Sequence, residues 1–418
     1  MAGLLVGEEI RHGEGGRASV GRMRVGRMRV GQMTVRRRHV LYMPGYDPRG
    51  VAYYYRSFRQ EFARFGALHG LGTSVSRPAA PAEAAYRNWV ARTTGADWQV
   101  ETVYELLTWD DVVRADAGRP AWRKIAAAWM VLARYLCDGT LRRMFAAHWR
   151  FVLFFLYPYV AFLGMVAGAV LLGRAAAWVP ALLPWGAAWP GAVLGGAVGL
   201  GALAACLRLS ESQTYLLYLF DDGVSTDDFA RGRRPDWEAR LTRFAERLVA
   251  IAQAGEVDEI LVVGHSSGSF MAVDVIAQAL ALDPALGRHG PALRLVTLGA
   301  NLPLVSFNPR AGWFIERLKQ VLAAPEVAWL DVQSRKDVMN FYPFDQAAGH
   351  GLAGPRLVTL GVRFRDVLLP GNYAGFRWRF FRVHFQYLMA NERPASWDYF
   401  MLICGPRSIS EITASFRS

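Results

Sequence analysis

Glu259-Ile260-Leu261-Val262-Val263-Gly264-His265-Ser266-Ser267-Gly268-Ser269-Phe270 decides how this chain is read. A short apolar run meets an abrupt small-residue turn, and an apolar segment, Met271–Leu282, follows. The first part suits a strand buried on both faces and the last suits a helix. Between them the turn spells Gly264-x-Ser266-x-Gly268, the pattern of a nucleophile elbow. A serine on a sharp strand-to-helix turn holds its hydroxyl out of the sheet, and small residues two positions to either side let strand and helix pass closely. The helix N-terminus aims backbone N–H groups at negative charge developing nearby. Ser266 is the candidate nucleophile, and Ser267, on the helix side, is expected to lend its backbone N–H.

Outward from the elbow, strand-like and helix-like segments alternate. Upstream, Arg38–Met43 reads as a strand that stops at Pro44-Gly45-Tyr46-Asp47-Pro48-Arg49-Gly50, with a helix expected over Val51–Phe65. A helical stretch is expected near Ala82–Ala91 and an alternating strand over Gln99–Leu107. Asp110 and Asp111 at that strand's end point apart and lack a histidine at ligand spacing, so they read as solvated acids. Trp122–Ala147 is helix-rich and basic. Pro235–Ala254 has helical periodicity and leads into the elbow strand. Downstream, Leu293–Leu298 and Val327–Val332 read as strands separated by a helix over Gly312–Ala323; Arg356–Leu368 reads as extended and Phe380–Ala390 as helical. The alternation predicts an α/β fold, a mostly parallel sheet flanked by helices. Active groups in such sheets collect beyond the C-terminal strand ends.

Two charge-free runs interrupt this pattern. Phe151–Leu172 is long enough to cross a hydrocarbon core, and Trp185–Leu207 is a second run of similar length. Neither has a polar face, unlike the amphipathic helices that cap soluble domains. Gly191, Gly195 and Gly199 recur at the four-residue spacing of closely packed membrane helices. A transmembrane hairpin is expected, with Arg174–Pro184 as its turn. The preceding flank carries Arg134, Arg142, Arg143 and Arg150, the turn only Arg174, so both outer ends are expected in the cytoplasm; in a bacterium this would be the inner membrane. Two spans also return the chain to the side it left, as one sheet containing both Arg38–Met43 and the elbow strand requires. After the second run, Thr214–Phe220 reads as a strand or the end of the span, and Asp221 to Asp228 as an acidic loop without calcium-ligand spacing. The domains expected are a basic leader over 1–32, a first part over 33–147, the hairpin over 148–210 and a second part over 211–418.

Composition narrows the partners. The 418 residues carry a net charge of +13, which suggests an anionic partner, yet no nucleic-acid-binding motif occurs and arginine clusters beside the apolar runs. A lipid bilayer is the expected partner and nucleic acid is not. Residues 1–32, where Val20-Gly21-Arg22-Met23-Arg24 repeats at Val25, read as a disordered leader rather than a secretory signal. Cys137, Cys206 and Cys404 form neither a zinc motif nor a disulfide framework, and no cofactor or metal is expected.

A serine nucleophile needs a base, and the base needs a carboxylate to fix its tautomer and stabilise the imidazolium. The order nucleophile, acid, histidine offers His384, beyond the last strand, with His350 in Ala348-Gly349-His350-Gly351 as the alternative. Asp337, just past the end of Val327–Val332, is the preferred acid and Asp345 the reserve. His265 precedes the nucleophile and is expected to buttress the turn. The loop after the first strand is placed to supply backbone N–H groups of Gly45 or Tyr46 opposite that of Ser267, as an oxyanion hole requires.

In Val40–Asp47, Ile260–Ser269, Trp329–Val338 and the segment around His384, the chain resembles the α/β-hydrolase superfamily, in its serine esterase and lipase branch. The likeness covers the parts on either side of the hairpin. It implies hydrolysis of a carboxylic ester, with a lipid-like ester as one candidate, through an acyl-enzyme on Ser266 with Asp337 and His384. Acyl transfer or thioester cleavage on the same residues, and an inactive membrane adaptor of hydrolase fold, are the alternatives. Met43-Pro44-Gly45-Tyr46 departs from the His-Gly form of many lipases, and few strands precede it.

Overall fold

The computed structural model describes residues 35–79, 85–179 and 188–417. The leader over 1–32 and residues 180–184 of the turn expected over 174–184 lie outside them; residues 174–178 are not a turn but the end of the helix Thr140–Trp178. Eight strands form one mixed sheet: β1 (Arg37–Met43), β2 (Gly72–Val75), β3 (Tyr86–Thr94), β4 (Gln99–Leu107), β5 (Glu259–His265), β6 (Ala292–Leu298), β7 (Ala328–Gln333) and β8 (Leu357–Gly361). Their spatial order is β2-β3-β4-β1-β5-β6-β7-β8. From β4 to β8 every pairing is parallel, and β2 and β3 add an antiparallel edge.

Side chains alternate across a strand, so the central strands feed two cores. Leu41, Met43, Ile260 and Val262 pack on one face with Trp237, Phe244, Phe270 and Phe314 from helices Pro235–Ala254, Gly268–Leu282 and Gly312–Ala323. Val40, Tyr42, Leu261 and Val263 face the other way, onto Phe58, Phe62 and Phe65 of helix Val51–His69 and onto Phe400. A phenylalanine as buried as Phe62 typically costs about 3–5 kcal/mol when cut to alanine.

The topology points to one place in the sheet. The chain leaving β1 passes to the β2 edge and returns through β3 to β4, whereas the chain leaving β5 steps the other way, through β6 and β7 to β8. The C-terminal ends of β1 and β5 therefore flank a topological switch point, where open α/β sheets form their crevice. Register adds that Met43 lies opposite Gly264, so the loops leaving both strands emerge side by side.

Several expectations need correction. The described part of 82–91 is not helical: Tyr86–Thr94 is β3, paired along its length with β4 and burying Trp89 and Ala91. The antiparallel pair β2–β3 thus follows β1 in sequence instead of preceding it. Thr214–Phe220 and the acids after it form no strand or loop; Leu216–Ala230 is a helix, with Asp221 bound to Lys124 at 2.5 Å and Asp227 to Arg134 at 2.6 Å. Asp110 and Asp111 open the helix Asp110–Ala117 and pair with Arg114 and Arg240; Asp111 is exposed, in keeping with a solvated acid, and Asp110 is half-buried. The stretch expected to be extended over Arg356–Leu368 is strand only in β8, then turns into the short helix Phe364–Val367.

Two helices are long and apolar enough to cross a membrane, Thr140–Trp178 and Ala188–Thr214. The first has 39 residues, so it is about 58 Å long and exceeds a hydrocarbon core of about 30 Å. Its first turns belong to the body of the protein: the backbone leaves helical geometry at His148, and Phe151 stacks on Phe341 with centroids 4.2 Å apart. Farther along, Val160, Leu171 and Leu200 are two-thirds or more exposed. The helices meet through small residues. Gly195 approaches Gly173 so closely that a Cβ on it would lie 2.6 Å from the Gly173 carbonyl, and Gly199 lies against Ala169 in the same way.

Candidate functional site

Ser266 is one of two non-glycine residues with positive φ among the described residues, at +56°. L-residues adopt that left-handed conformation at a cost, and it persists only where the surroundings impose it. Here they do. A Cβ on Gly264 would run into the Gly268 carbonyl, and one on Gly268 into the carbonyls of Met43 and Pro44. Strand β5, helix Gly268–Leu282 and the end of β1 thus touch backbone to backbone. The Ser266 N–H donates to the Leu298 carbonyl at 3.1 Å, and the Ser266 carbonyl accepts from the Ser269 N–H at 2.9 Å and from its hydroxyl. Ser266 is half-buried between two buried neighbours.

The loop after β1 lies directly against this serine. A Cβ on Gly45 would sit 3.3 Å from Ser266 Oγ. Side chains far away in sequence hold the loop. Trp109 Nε1 donates to the Pro44 carbonyl at 3.1 Å, the Tyr218 hydroxyl donates to the Tyr46 carbonyl, and the Tyr46 hydroxyl donates to Asp116 at 3.0 Å. The Asp47 carboxylate accepts from Arg49 and from the Tyr54 hydroxyl. With the carbonyls engaged, the N–H groups of Gly45, Tyr46 and Ser267 have no hydrogen-bond partner among the described residues.

The acid and the base expected from sequence meet. Asp337, four residues past β7, and His384, in helix Phe380–Phe385, bond through Oδ2 and Nδ1 at 2.7 Å and are both buried. Asp337 also accepts from the Met339 N–H at 2.9 Å and from Asn340 Nδ2 at 3.0 Å. Burial alone would raise its pKa, but the His384 charge and these hydrogen bonds outweigh it and hold the carboxyl below its ordinary value. The His384 ring lies 4.6 Å from that of His265, whose Nε2 bonds the His384 carbonyl at 3.0 Å. Burial and the His384 charge hold His265 down at about 3, so it stays neutral and buttresses the turn as expected. His384 Nε2 is buried with no hydrogen-bond partner among the described residues, Ser266 Oγ included.

The alternatives are occupied elsewhere. His350 bonds the Gln346 carbonyl and Ser306 Oγ through its two ring nitrogens, and Asp345 accepts from the N–H groups of Ala347 and Ala348. Sequence reading missed Trp109, Tyr218, Asn340 and Asp222. Half-buried Asp222, in the helix Leu216–Ala230, accepts from the Ser267 hydroxyl at 3.5 Å. Burial pushes its pKa up to about 7, against the opposing effects of that hydroxyl and the His384 charge. No local pattern marks Trp109, Tyr218 or Asp222, because their partners are remote in sequence, whereas Asn340 lies only three residues beyond Asp337.

A cavity of about 840 Å³ opens beside the elbow rather than over it. Arg49, Tyr218 and Phe385 line it toward the site, and Glu211 and Tyr215 line it toward the end of the second long helix. Among the described residues no group of three or more His, Cys, Asp or Glu side chains is arranged to hold a metal ion. Compared with protein-family models, curated proteins and solved structures, the chain matches none.

Proposed function

We propose that this chain is a serine hydrolase of α/β-hydrolase type, anchored by a two-helix membrane hairpin, that cleaves a carboxylic ester through an acyl-enzyme on Ser266. One observation carries the reading: the strained Ser266, pinned among Gly45, Gly264 and Gly268, sits beside a buried Asp337–His384 pair whose outer nitrogen is unpartnered.

The chemistry follows from those positions. Ser266 Oγ attacks the ester carbonyl carbon while His384 Nε2 takes the hydroxyl proton. Asp337 holds Nδ1–H and stabilises the imidazolium. The carbonyl oxygen becomes an oxyanion, received by backbone N–H groups at Gly45 or Tyr46 and at Ser267. Collapse breaks the C–O bond to the alcohol, which leaves with the proton from His384. Water, deprotonated by His384, then attacks the acyl-enzyme, and Ser266 recovers its proton. Closing the Ser266–His384 hydrogen bond is assigned to substrate binding, since such bonds are often long in unliganded enzymes. The cavity running from Tyr215 to Phe385 supports an amphiphilic ester reaching the site from the bilayer surface.

The test is labelling of the full chain with a fluorophosphonate probe. Wild type should label and Ser266→Ala should not. Labelling that survives Ser266→Ala would sink the nucleophile assignment, and folded wild type that never labels would leave the adaptor reading in its place. The arginine-rich flank before the first apolar run supports a cytoplasmic site. In a background lacking the native cysteines, a cysteine at Val179 should react with an impermeant reagent applied from outside; protection there, with reaction in the body, reverses the orientation.

A further inference from the structure

Several arginines of this protein are matched by a carboxylate. Arg38 pairs with Glu259, Arg234 with Asp116, Arg247 with Glu105 and Arg317 with Glu238. One cavity instead gathers cations with no carboxylate in its lining. About 460 Å³ in volume, it lies where the acid loop after β7, the chain leaving β8 and the start of the first apolar run converge. Arg150, Arg335, Lys336, Arg363 and Arg365 line it, and no carboxylate does. Only Arg365 has an acidic neighbour, Asp366 at 3.5 Å, with both side chains more than half exposed. Arg150, Arg335, Lys336 and Arg363 have no ion pair among the described residues. Burial and the charges of Arg377 and Arg150 hold Lys336 below its ordinary pKa, so the cluster repels itself.

Like charges facing one cavity without a counter-ion cost stability, and a bound anion removes that cost. Four of the five are guanidinium groups, whose planar forks suit tetrahedral oxyanions. The position says where the anion comes from. Arg150 immediately precedes the apolar run that begins at Phe151. Exposed Trp149 directly precedes Arg150, Lys336 Nζ lies 5.3 Å from the ring of exposed Trp378, and exposed Phe380 meets Phe154 of the apolar run. Aromatic side chains of this kind sit at headgroup depth.

We infer that this cavity binds a phosphate group, supplied by the headgroup of an anionic phospholipid in the surrounding bilayer. The phosphate chemistry is independent of the reaction proposed at Ser266. The lipid source rests on the two apolar helices crossing a membrane.

The test uses the full chain in non-ionic detergent. Binding is measured for phosphatidylglycerol, phosphatidylcholine and inorganic phosphate in separate arms, on wild type and on Arg335→Gln/Arg363→Gln. Both substituted side chains are exposed, and unchanged melting without lipid verifies folding. Arg310→Gln, an exposed cation elsewhere, is the control. Phosphatidylglycerol should bind wild type and the control, weaken as salt rises, and lose about tenfold or more in affinity in the double variant. Equal binding of phosphatidylglycerol to wild type and the double variant overturns the site. Displacement of the lipid by millimolar inorganic phosphate, or equal affinity for phosphatidylcholine, overturns the anionic-lipid assignment. Fluorophosphonate labelling is scored separately, so failure of either proposal leaves the other readable.

Discussion

Glycine performs the same physical act in two regions of this molecule, with different consequences. At the elbow, Gly264, Gly268 and Gly45 let three backbones touch, and the geometry left over forces Ser266 into a left-handed conformation. Between the long apolar helices, Gly173, Gly195 and Gly199 also bring backbones together, yet no residue is strained and no polar group is displayed. The difference lies in what borders the contact. Around the elbow, free N–H groups and the buried Asp337–His384 pair lie near the close approach. Along the hairpin, the flanking side chains are apolar apart from exposed Arg174. Close packing by small residues is structural by default, and on the function proposed above it serves chemistry where polar groups converge on it.

The largest expected effect tests whether the elbow is chemical at all. Asp337→Asn should keep the fold but leave His384 in the wrong tautomer, slowing fluorophosphonate labelling by about 10³–10⁴-fold; a loss below tenfold would reduce the buried pair to packing. Next comes the contrast between the two glycine contacts. Gly268→Ala places a methyl group against the Met43 carbonyl and should cost about 3 kcal/mol in detergent unfolding, with labelling lost. Gly195→Leu should separate the long helices, lower their thermal stability and leave Ser266 labelling intact. Equal loss of labelling in both variants would erase the distinction.

Smaller effects sharpen the elbow's surroundings. Trp109→Phe removes the hydrogen bond to the Pro44 carbonyl while keeping most of the buried ring. Labelling should slow by about fivefold, the worth of roughly 1 kcal/mol, without a matching change in melting temperature. Asp222 gives the smallest signal. Unfolded, it loses its proton near pH 4; folded, it holds that proton up to about pH 7. The folded state binds more protons in that window, so stability falls as pH rises through it and remains lower above. Asp222→Asn should melt about 2 °C higher relative to wild type at pH 8 than at pH 5. An unchanged difference would mean Asp222 ionises normally in the fold.

Legibility followed sequence distance. Ser266 stood out because strand, turn and helix are contiguous, and Gly264 and Gly268 flank it within five residues. Asp337 and His384 could be chosen by order, since a parallel sheet sends successive strand ends to one edge. Other segments misled. Alanines suggested a helix up to Ala91, but pairing with β4 overrode local preference, as it does when a strand's buried face completes a core. The acids after Phe220 suggested a loop, but Lys124 and Arg134 neutralise two of them within a helix. Trp109 and Tyr218 hold the loop at Gly45 from 65 and 172 residues away, and no local pattern announces such bonds.

By itself, then, the sequence determined the periodicities: an α/β alternation, two apolar runs, and a serine in a turn that only glycines could build. Each is set by neighbours along the chain. Tertiary structure alone decided which groups converge. It put the loop after β1 beside β5 through their register, gathered Asp337 and His384 in a buried pair, and left five cations facing one cavity. Those are properties of remote segments brought into contact, where burial and charge act through space and not along the chain.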